Sequence, residues 1–517
     1  MKNITILWVD DEIDLLKPYV IFLKDKGYEV TSCTNGADAI DLVSSRSFDL
    51  VFLDEHMPGL SGLQVLDKIK QLQPDIPVVM ITKNEEENIM EKAIGAKIAD
   101  YLIKPVNPNQ ILLSIKKITE QRKLVTEKTT SSYQADFNQL SSQIQNAASY
   151  TDWVEVYKKL VYWELEIESL HNDELGPVLK YQKDEANTNF TKFIKKNYAS
   201  WFDKDSSQKP IMSPNIFKEK CFPLIKEDDT LFMVIVDNLR YDQWRVLSTV
   251  IKDFMKVEQE DLYCSILPTV TQYARNSMFS GLMPLDIQKV YPNLWSGAEE
   301  EAMDNLHEDE LLQKQLQRNG LNYKMAYEKI LNQKTGKRVV ENIKNYYTNQ
   351  LVVLVYNFVD MLSHARTESD MIKELAGDEA AYRTLTLSWF QHSYLLDLIK
   401  ALAAEKKRVI ITTDHGSIRV ANAIKVVGDR TTTANLRYKQ GKSLNYNAKE
   451  VFEIRDPTSI RLPKFNVSTS YIFAAAADFL AYPNNYNHYV SYYKNTFQHG
   501  GISLEEMLIP FVVLEPL

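Results

Sequence analysis

Short apolar runs recur along this chain, and acidic residues stand just past their carboxyl ends. Ile4 to Val9 leads into Asp10 and Asp11, Leu50 to Leu53 into Asp54, Leu231 to Val236 into Asp237, Leu351 to Val359 into Asp360, and Arg408 to Thr413 into Asp414. Runs of this length that are apolar on both faces suit buried parallel strands. In an open parallel sheet, side chains at the carboxyl ends of the strands meet in one crevice. The pattern predicts α/β domains whose sites are built from carboxylates.

The 517 residues allow about three or four domain-sized units, and three blocks can be read. From 1 to 121, five runs (those ending at Val9 and Leu53, with Tyr28 to Ser32, Val78 to Ile81 and Tyr101 to Ile103) alternate with helical patterns, predicting a doubly wound parallel sheet. From 122 to 206 the runs stop, and Trp153, Val156, Tyr157, Leu160, Val161, Trp163 and Leu165 recur near helical spacing, predicting an all-α connector. The polar stretch Thr129 to Ser149 reads as a flexible linker or a polar-faced helix, with helix the expectation. From 207 to 517 the α/β alternation returns. A net charge of -9 excludes a chain-wide electrostatic grip on nucleic acid. No helix-turn-helix or basic recognition helix is visible, so no direct DNA-binding domain is expected. Three cysteines without Cys-x-x-Cys spacing exclude a disulfide framework and a thiolate zinc cluster. No apolar run reaches the roughly 20 residues of a membrane span, and Met1 to Val9 leaves no room for a signal peptide. The expected location is the cytoplasm.

In the first block, Asp10, Asp11 and Asp54 would converge, and three carboxylates need a cation. Mg²⁺ takes few carboxylates, keeps waters and bridges to phosphate oxygens. Thr82 follows the fourth run and Lys104 the fifth, adding a hydroxyl and an ammonium. With the stretch Asp54-Glu-His-Met-Pro-Gly-Leu-Ser-Gly and Tyr101 three residues before Lys104, the block resembles the receiver domain of two-component response regulators. The resemblance implies a flavodoxin-like fold, phosphorylation at Asp54, and Mg²⁺ held by Asp10, Asp11, Asp54 and the backbone carbonyl of His56. It also implies pairing of Lys104 with the phosphoryl group, a switch carried by Thr82 and Tyr101, a sensor histidine kinase as partner, and a homodimer formed on phosphorylation through the fourth and fifth helix faces.

In the third block, His364 follows Asp360 by four residues, His415 follows Asp414, and His499 sits in Gln498-His-Gly-Gly. Three aspartates and three histidines from four segments offer ligands enough for two zinc-type ions. His171, His307 and His392 lie in polar or helix-like text without a comparable setting. The order Asp237, a hydroxyl residue, Asp360 with His364, Asp414 with His415, then His499 resembles the alkaline phosphatase superfamily. By that resemblance one Zn²⁺ takes Asp360, His364 and His499, and the other takes Asp237, Asp414, His415 and the Thr271 oxygen. Thr271, in Pro268-Thr-Val-Thr-Gln-Tyr-Ala-Arg, is then the nucleophile, with Thr269 as the competitor, and attack on phosphorus gives a phosphothreonine intermediate.

Threonine in place of serine, and the spacing of Asp237 to Arg240, look like the nucleotide pyrophosphatase/phosphodiesterase branch and the PglZ domain. Neither the Arg clamp nor the third metal of many monoesterases is identifiable, so a phosphodiester is the expected substrate. Arg240 and Arg275 are candidate substrate contacts. Between Arg419 and Lys449, seven basic residues face a single acid, Asp429, with Tyr438 and Tyr446 interleaved. That suits a short oligonucleotide or cyclic dinucleotide and nominates Arg437 and Lys439; the alternative is a solvated loop. Glu299 to Glu310 holds seven acids among twelve residues, reading as a solvated face or an intramolecular partner. The whole architecture resembles response regulators associated with type IX secretion, implying contact with a sigma factor or the secretion machinery. Two functions follow: a zinc-dependent phosphodiesterase switched by phosphorylation, or a zinc-stabilised binding platform acting through protein contacts without turnover.

Overall fold

The computed structural model describes residues 4–83, 98–170, 174–203, 209–295, 307–368 and 370–517, without the side chains of 120–126 and 366–371. The fourth receiver helix, His171 and the acidic run as far as residue 306 lie outside the described residues. The chain divides into two compact units, Met1–Ser132 and Tyr133–Leu517.

In the first unit, β1 (Thr5–Val9), β2 (Glu29–Cys33), β3 (Leu50–Asp54), β4 (Val78–Thr82) and β5 (Asp100–Ile103) form one sheet in the order β2-β1-β3-β4-β5. Every pairing is parallel. Side chains alternate across a strand: Leu7, Val9, Leu53 and Met80 enter one core, while Ile6, Trp8, Phe52, Val79 and Ile81 enter the other. Both faces of β1, β3 and β4 are buried, which is why these strands read as continuous apolar runs. Helices α1 (Lys17–Asp25), α2 (Gly36–Ser45) and α3 (Gly62–Leu72) connect them. Asn35 accepts from the Asp38 N–H at the start of α2, and Ser61 with Gln64 forms a reciprocal capping box on α3.

A 39-residue helix, α4 (Pro108–Asn146), includes most of the polar stretch expected to be helical. In the second unit it is followed by α5 (Tyr150–Ser169) and α6 (Gly176–Asn197). Trp153, Val156, Tyr157, Leu160, Val161 and Ile167 of α5 are buried at helical spacing. With Tyr133, Phe190 and Trp201 they share one apolar cluster with Phe232, Val234 and Val236 of the sheet that follows. Aromatic side chains bury about 150–250 Å² each, so these helices are part of the second unit's core and not a tether to it.

The second unit's main sheet is mixed. Strands β6 (Leu231–Val236), β8 (Met325–Ile330), β9 (Leu351–Tyr356) and β10 (Val409–Thr412) run parallel, and β7 (Met255–Cys264) and β11 (Leu508–Pro516) pair antiparallel at one side. The order is β7-β11-β10-β6-β9-β8. One expectation is corrected. The run Leu351 to Val359 is strand only to Tyr356, and helix α7 (Phe358–Glu368) begins two residues later. Asp360 therefore lies in the first turn of a helix, not at a strand end, and the four-residue step to His364 is a helical repeat that puts both side chains on one face.

Candidate functional site

In the first unit β1 and β3 are neighbours, so Asp10 and Asp54 emerge side by side. Carboxylate oxygens of Asp10, Asp11 and Asp54 lie within 4.8 Å of one another. Lys104 Nζ reaches Asp10 Oδ2 at 2.8 Å and Asp54 Oδ2 at 2.9 Å. Asp54 Oδ1 is buried with no hydrogen-bond partner. Burial raises the Asp54 carboxyl above its ordinary value, against the pull of Lys104. One ammonium against three carboxylates and an orphaned anionic oxygen fit a divalent cation such as Mg²⁺. Thr82 is buried at the end of β4, Tyr101 is half-buried on β5, and His56 follows Asp54 by two residues with its side chain exposed.

In the second unit β10, β6 and β9 are adjacent and parallel, so their carboxyl ends form one row. Ligand atoms of Asp237, Asp414 and His415 lie within 4.8 Å of one another, and so do those of Asp360, His364 and His499. The first cluster is fully buried, whereas His364 of the second is 62% exposed. The clusters adjoin: the His415 and His499 rings stack with centroids 4.3 Å apart. His415 Nδ1 lies 3.1 Å from the Gly416 carbonyl and His499 Nδ1 3.2 Å from the Thr269 carbonyl. Those carbonyls favour a proton on Nδ1, leaving Nε2 as a ligand atom. Burial, with His415 nearby, holds His499 down to about 3, so it is neutral as a metal ligand must be. Burial pushes Asp237 up, helped by Asp414 and Asp360, while Arg275 and His415 hold Asp414 at about 2 in spite of its burial. Crowded carboxylates with imidazoles that offer nitrogen fit two zinc ions.

Thr271 opens helix α8 (Thr271–Ser280). Its Oγ1 lies 3.2 Å from His415 Nε2 and 3.4 Å from Asp237 Oδ1. It faces a cavity of 520 Å³ that Gln272, His364, Asn435, Tyr492 and His499 also line. The competitor Thr269 is fully buried; its hydroxyl donates to the Gly501 carbonyl at 3.1 Å and accepts from the Gly500 N–H at 2.9 Å.

The four basic residues expected to touch substrate are corrected by burial. Arg240 pairs with Asp242, Arg275 with Asp237, Asp414 and Glu308, and Arg437 with Glu506, while Lys439 donates to the Thr433 and Ala434 carbonyls. A buried charge costs several kcal/mol unless paired; the three guanidinium groups have carboxylate partners inside the protein and Lys439 has carbonyl partners, although Arg240 Nη1 makes no hydrogen bond. Among the described residues, no Lys or Arg lines the cavity. Two further positions adjoin the site, of which Asn238 escaped the sequence reading. Asn238, at a left-handed φ of 62°, donates from Nδ2 to Asp360 Oδ1 at 3.2 Å. Asn tolerates that backbone better than most residues, and its place directly after Asp237 was the available signal. Glu308, the described end of the acidic run, is the buried partner of Arg275 and receives the Tyr327 hydroxyl.

Family models match the chain in sequence: the response regulator receiver domain over residues 6–116, the PorX response regulator linker domain over 123–202, and the BREX system PglZ alkaline phosphatase-like domain over 216–514. Among curated relatives, the alginate biosynthesis transcriptional regulatory protein AlgB of Pseudomonas syringae is 38% identical over 119 residues, 23% of this chain and 27% of that protein. The response regulator SaeR of Staphylococcus epidermidis is 35% identical over 108 residues, 21% of this chain and 47% of that protein. The chain thus spans less than half the length of either relative. Among solved structures, a receiver domain protein of Methanospirillum hungatei is 29% identical, with 24% of this chain and 98% of that chain covered at a TM-score of 0.23. The receiver of NtrX from Brucella abortus is 33% identical, with 22% and 98% covered at 0.22. Among the described residues no helix is long and apolar enough to cross a membrane.

Proposed function

Because the chain belongs to the family of BREX system PglZ alkaline phosphatase-like domains, here in a PorX-type fusion with a receiver and its linker, we propose that it is a two-component response regulator whose output is a zinc-dependent phosphodiesterase. The observation that carries this reading is Thr271, held against Asp237 and His415 and facing a cavity that no described Lys or Arg lines. When bound, zinc ions lower the pKa of a coordinated hydroxyl and neutralise phosphate oxygens. Asp360, His364 and His499 would hold one ion, and Asp237, Asp414 and His415 the other, with the Thr271 oxygen beside it. Thr271 Oγ1 forms its bond to phosphorus as the bond to the leaving alcohol breaks. Water then hydrolyses the threonine-bound phosphodiester, releasing the remaining half of the substrate as a phosphomonoester and regenerating the hydroxyl.

Charge selects the ester. A phosphomonoester brings up to two negative charges and a diester one, and a cavity that no described Lys or Arg lines suits the diester. The amides of Gln272, Asn435 and Gln498 and the rings of Tyr492 and Tyr493 offer hydrogen bonds and stacking to a nucleotide-type substrate, linear or cyclic. In this reading a sensor histidine kinase phosphorylates Asp54 in the cytoplasm, the chain dimerises, and the output regulates type IX secretion through a sigma factor or a secretion component. The kcat/KM for bis-p-nitrophenyl phosphate is expected to exceed that for p-nitrophenyl phosphate by about tenfold, roughly 1.4 kcal/mol of transition-state binding. A preference for the monoester would overturn the ester assignment.

A further inference from the structure

Two loops carry the reactive part of the second unit's site: Leu267 to Thr271, ending at the nucleophile, and His499 to Met507, beginning at a metal ligand. Each is held by a buried side chain of the connector. Tyr198, directly after α6 and fully buried, accepts the Leu267 N–H on its hydroxyl at 2.8 Å. Asn187, within α6 and 4% exposed, accepts the Leu504 N–H at 2.8 Å and donates to the Glu505 carboxylate at 3.1 Å. We infer that α6 of the connector is a positioning element for the metal centre, with Tyr198 setting the nucleophile loop and Asn187 setting the His499 loop. This deepens the function proposed above and rests on it for the identity of the reaction.

The Asn187 contact spreads through one short segment. Glu505, which Asn187 grips, has its carbonyl so close to Gly416 that a β-carbon there would collide with it. Gly416 directly follows His415 and donates its N–H to the Glu506 carbonyl at 3.3 Å. The Glu506 carboxylate accepts the Gly501 N–H at 2.8 Å and the Ser503 hydroxyl at 2.7 Å, and it pairs with Arg437. The Thr269 hydroxyl reaches it at 3.4 Å. A shift of Asn187 is therefore passed to the backbone beside His415, His499 and Thr271. Magnitudes separate the roles. Loss of one buried hydrogen bond, even with its partner left unsatisfied, is small beside the aromatic core shared by α5, α6 and the sheet. A misplacement of about 1 Å at reacting groups costs about 10²-fold in rate. These bonds matter more to site geometry than to folding.

Tyr133 supplies the control, being a buried hydroxyl of the connector bonded to Gln182 at 3.2 Å and to neither loop. The full chain is compared as wild type, Tyr198→Phe, Asn187→Leu and Tyr133→Phe. Zinc affinity is read by competition with a chelator, amide exchange by mass spectrometry, and kcat and KM with bis-p-nitrophenyl phosphate. Tyr198→Phe should speed exchange in 264–271, and Asn187→Leu in 499–507. Each should weaken zinc binding and lower kcat by about tenfold at an unchanged KM, while Tyr133→Phe moves none of these. Unchanged zinc affinity and exchange in both loop variants would overturn the inference, as would equal effects from Tyr133→Phe. If Asn187→Leu fails to fold, the isosteric Tyr198→Phe decides alone. If wild type turns over no diester but zinc affinity and exchange respond as stated, the phosphodiesterase reading fails and the positioning role stands.

Discussion

Thr271→Ala should lower turnover of bis-p-nitrophenyl phosphate by at least about 10³-fold, since loss of a nucleophile is among the largest single-residue effects in catalysis. About two zinc ions per chain should remain, because the six Asp and His side chains grouped around the two centres do not need the hydroxyl. Elemental analysis and single-turnover kinetics of the same preparation separate the outcomes. Full turnover in Thr271→Ala would transfer the attack to a water or to Thr269. An inactive wild type that nonetheless binds zinc would instead support the binding-platform function. The Thr269 hydroxyl, buried between Gly500 and Gly501, would have to break both contacts before it could reach phosphorus.

Asp54→Ala should abolish labelling by a small-molecule phosphodonor and any rise in dimer fraction produced by an acyl-phosphate mimic, while wild type shows both. Sizing with light scattering reads the second effect, and equal dimerisation in the two proteins would sink the proposed switch. The same variant has a stability signature. Burial raises the folded-state pKa of Asp54, so the folded state binds more protons than the unfolded state between the two pKa values. Stability therefore falls as pH rises through that window, and the penalty persists at neutral pH. Without Mg²⁺, Asp54→Ala should make the receiver more stable than wild type at neutral pH. The difference should fade once the pH drops below the unfolded carboxyl value, which thermal melts at both pH values would show.

The parallel strands were legible because burial on both faces writes itself as an unbroken apolar run, as in Leu231–Val236, where all six residues are buried. The same logic failed at both edge strands: Lys256, Glu258, Gln259 and Glu260 of β7 are polar and at least partly exposed, and Met325 to Lys329 of the parallel β8 are only partly buried. Asp237, Asp414 and His415 were legible as strand-end residues. Asp360 was legible as a candidate ligand but not as a helical residue, since Phe358 and Val359 prolong the apolar run across the strand-to-helix turn. Arg437 and Lys439 were misread because a basic composition describes a segment, whereas burial depends on Glu506 and on carbonyls that the linear text does not place beside them. For the acidic run, the pairing of Glu308 with Arg275 agrees with the intramolecular-partner alternative, although the partner itself was not legible.

The cluster that joins Trp153 and Phe190 of the connector to Val234 of the main sheet limits how such a protein can change by recombination. A crossover that brought a foreign connector to this phosphatase-like sheet would have to match aromatic shapes across a whole interior at once. It would also have to supply an amide where Asn187 stands and a phenol where Tyr198 stands. The receiver's two apolar clusters are built from its own residues, and its compact unit ends at Ser132. Connector and phosphatase-like domain, sharing one interior, are therefore expected to be inherited as a single piece.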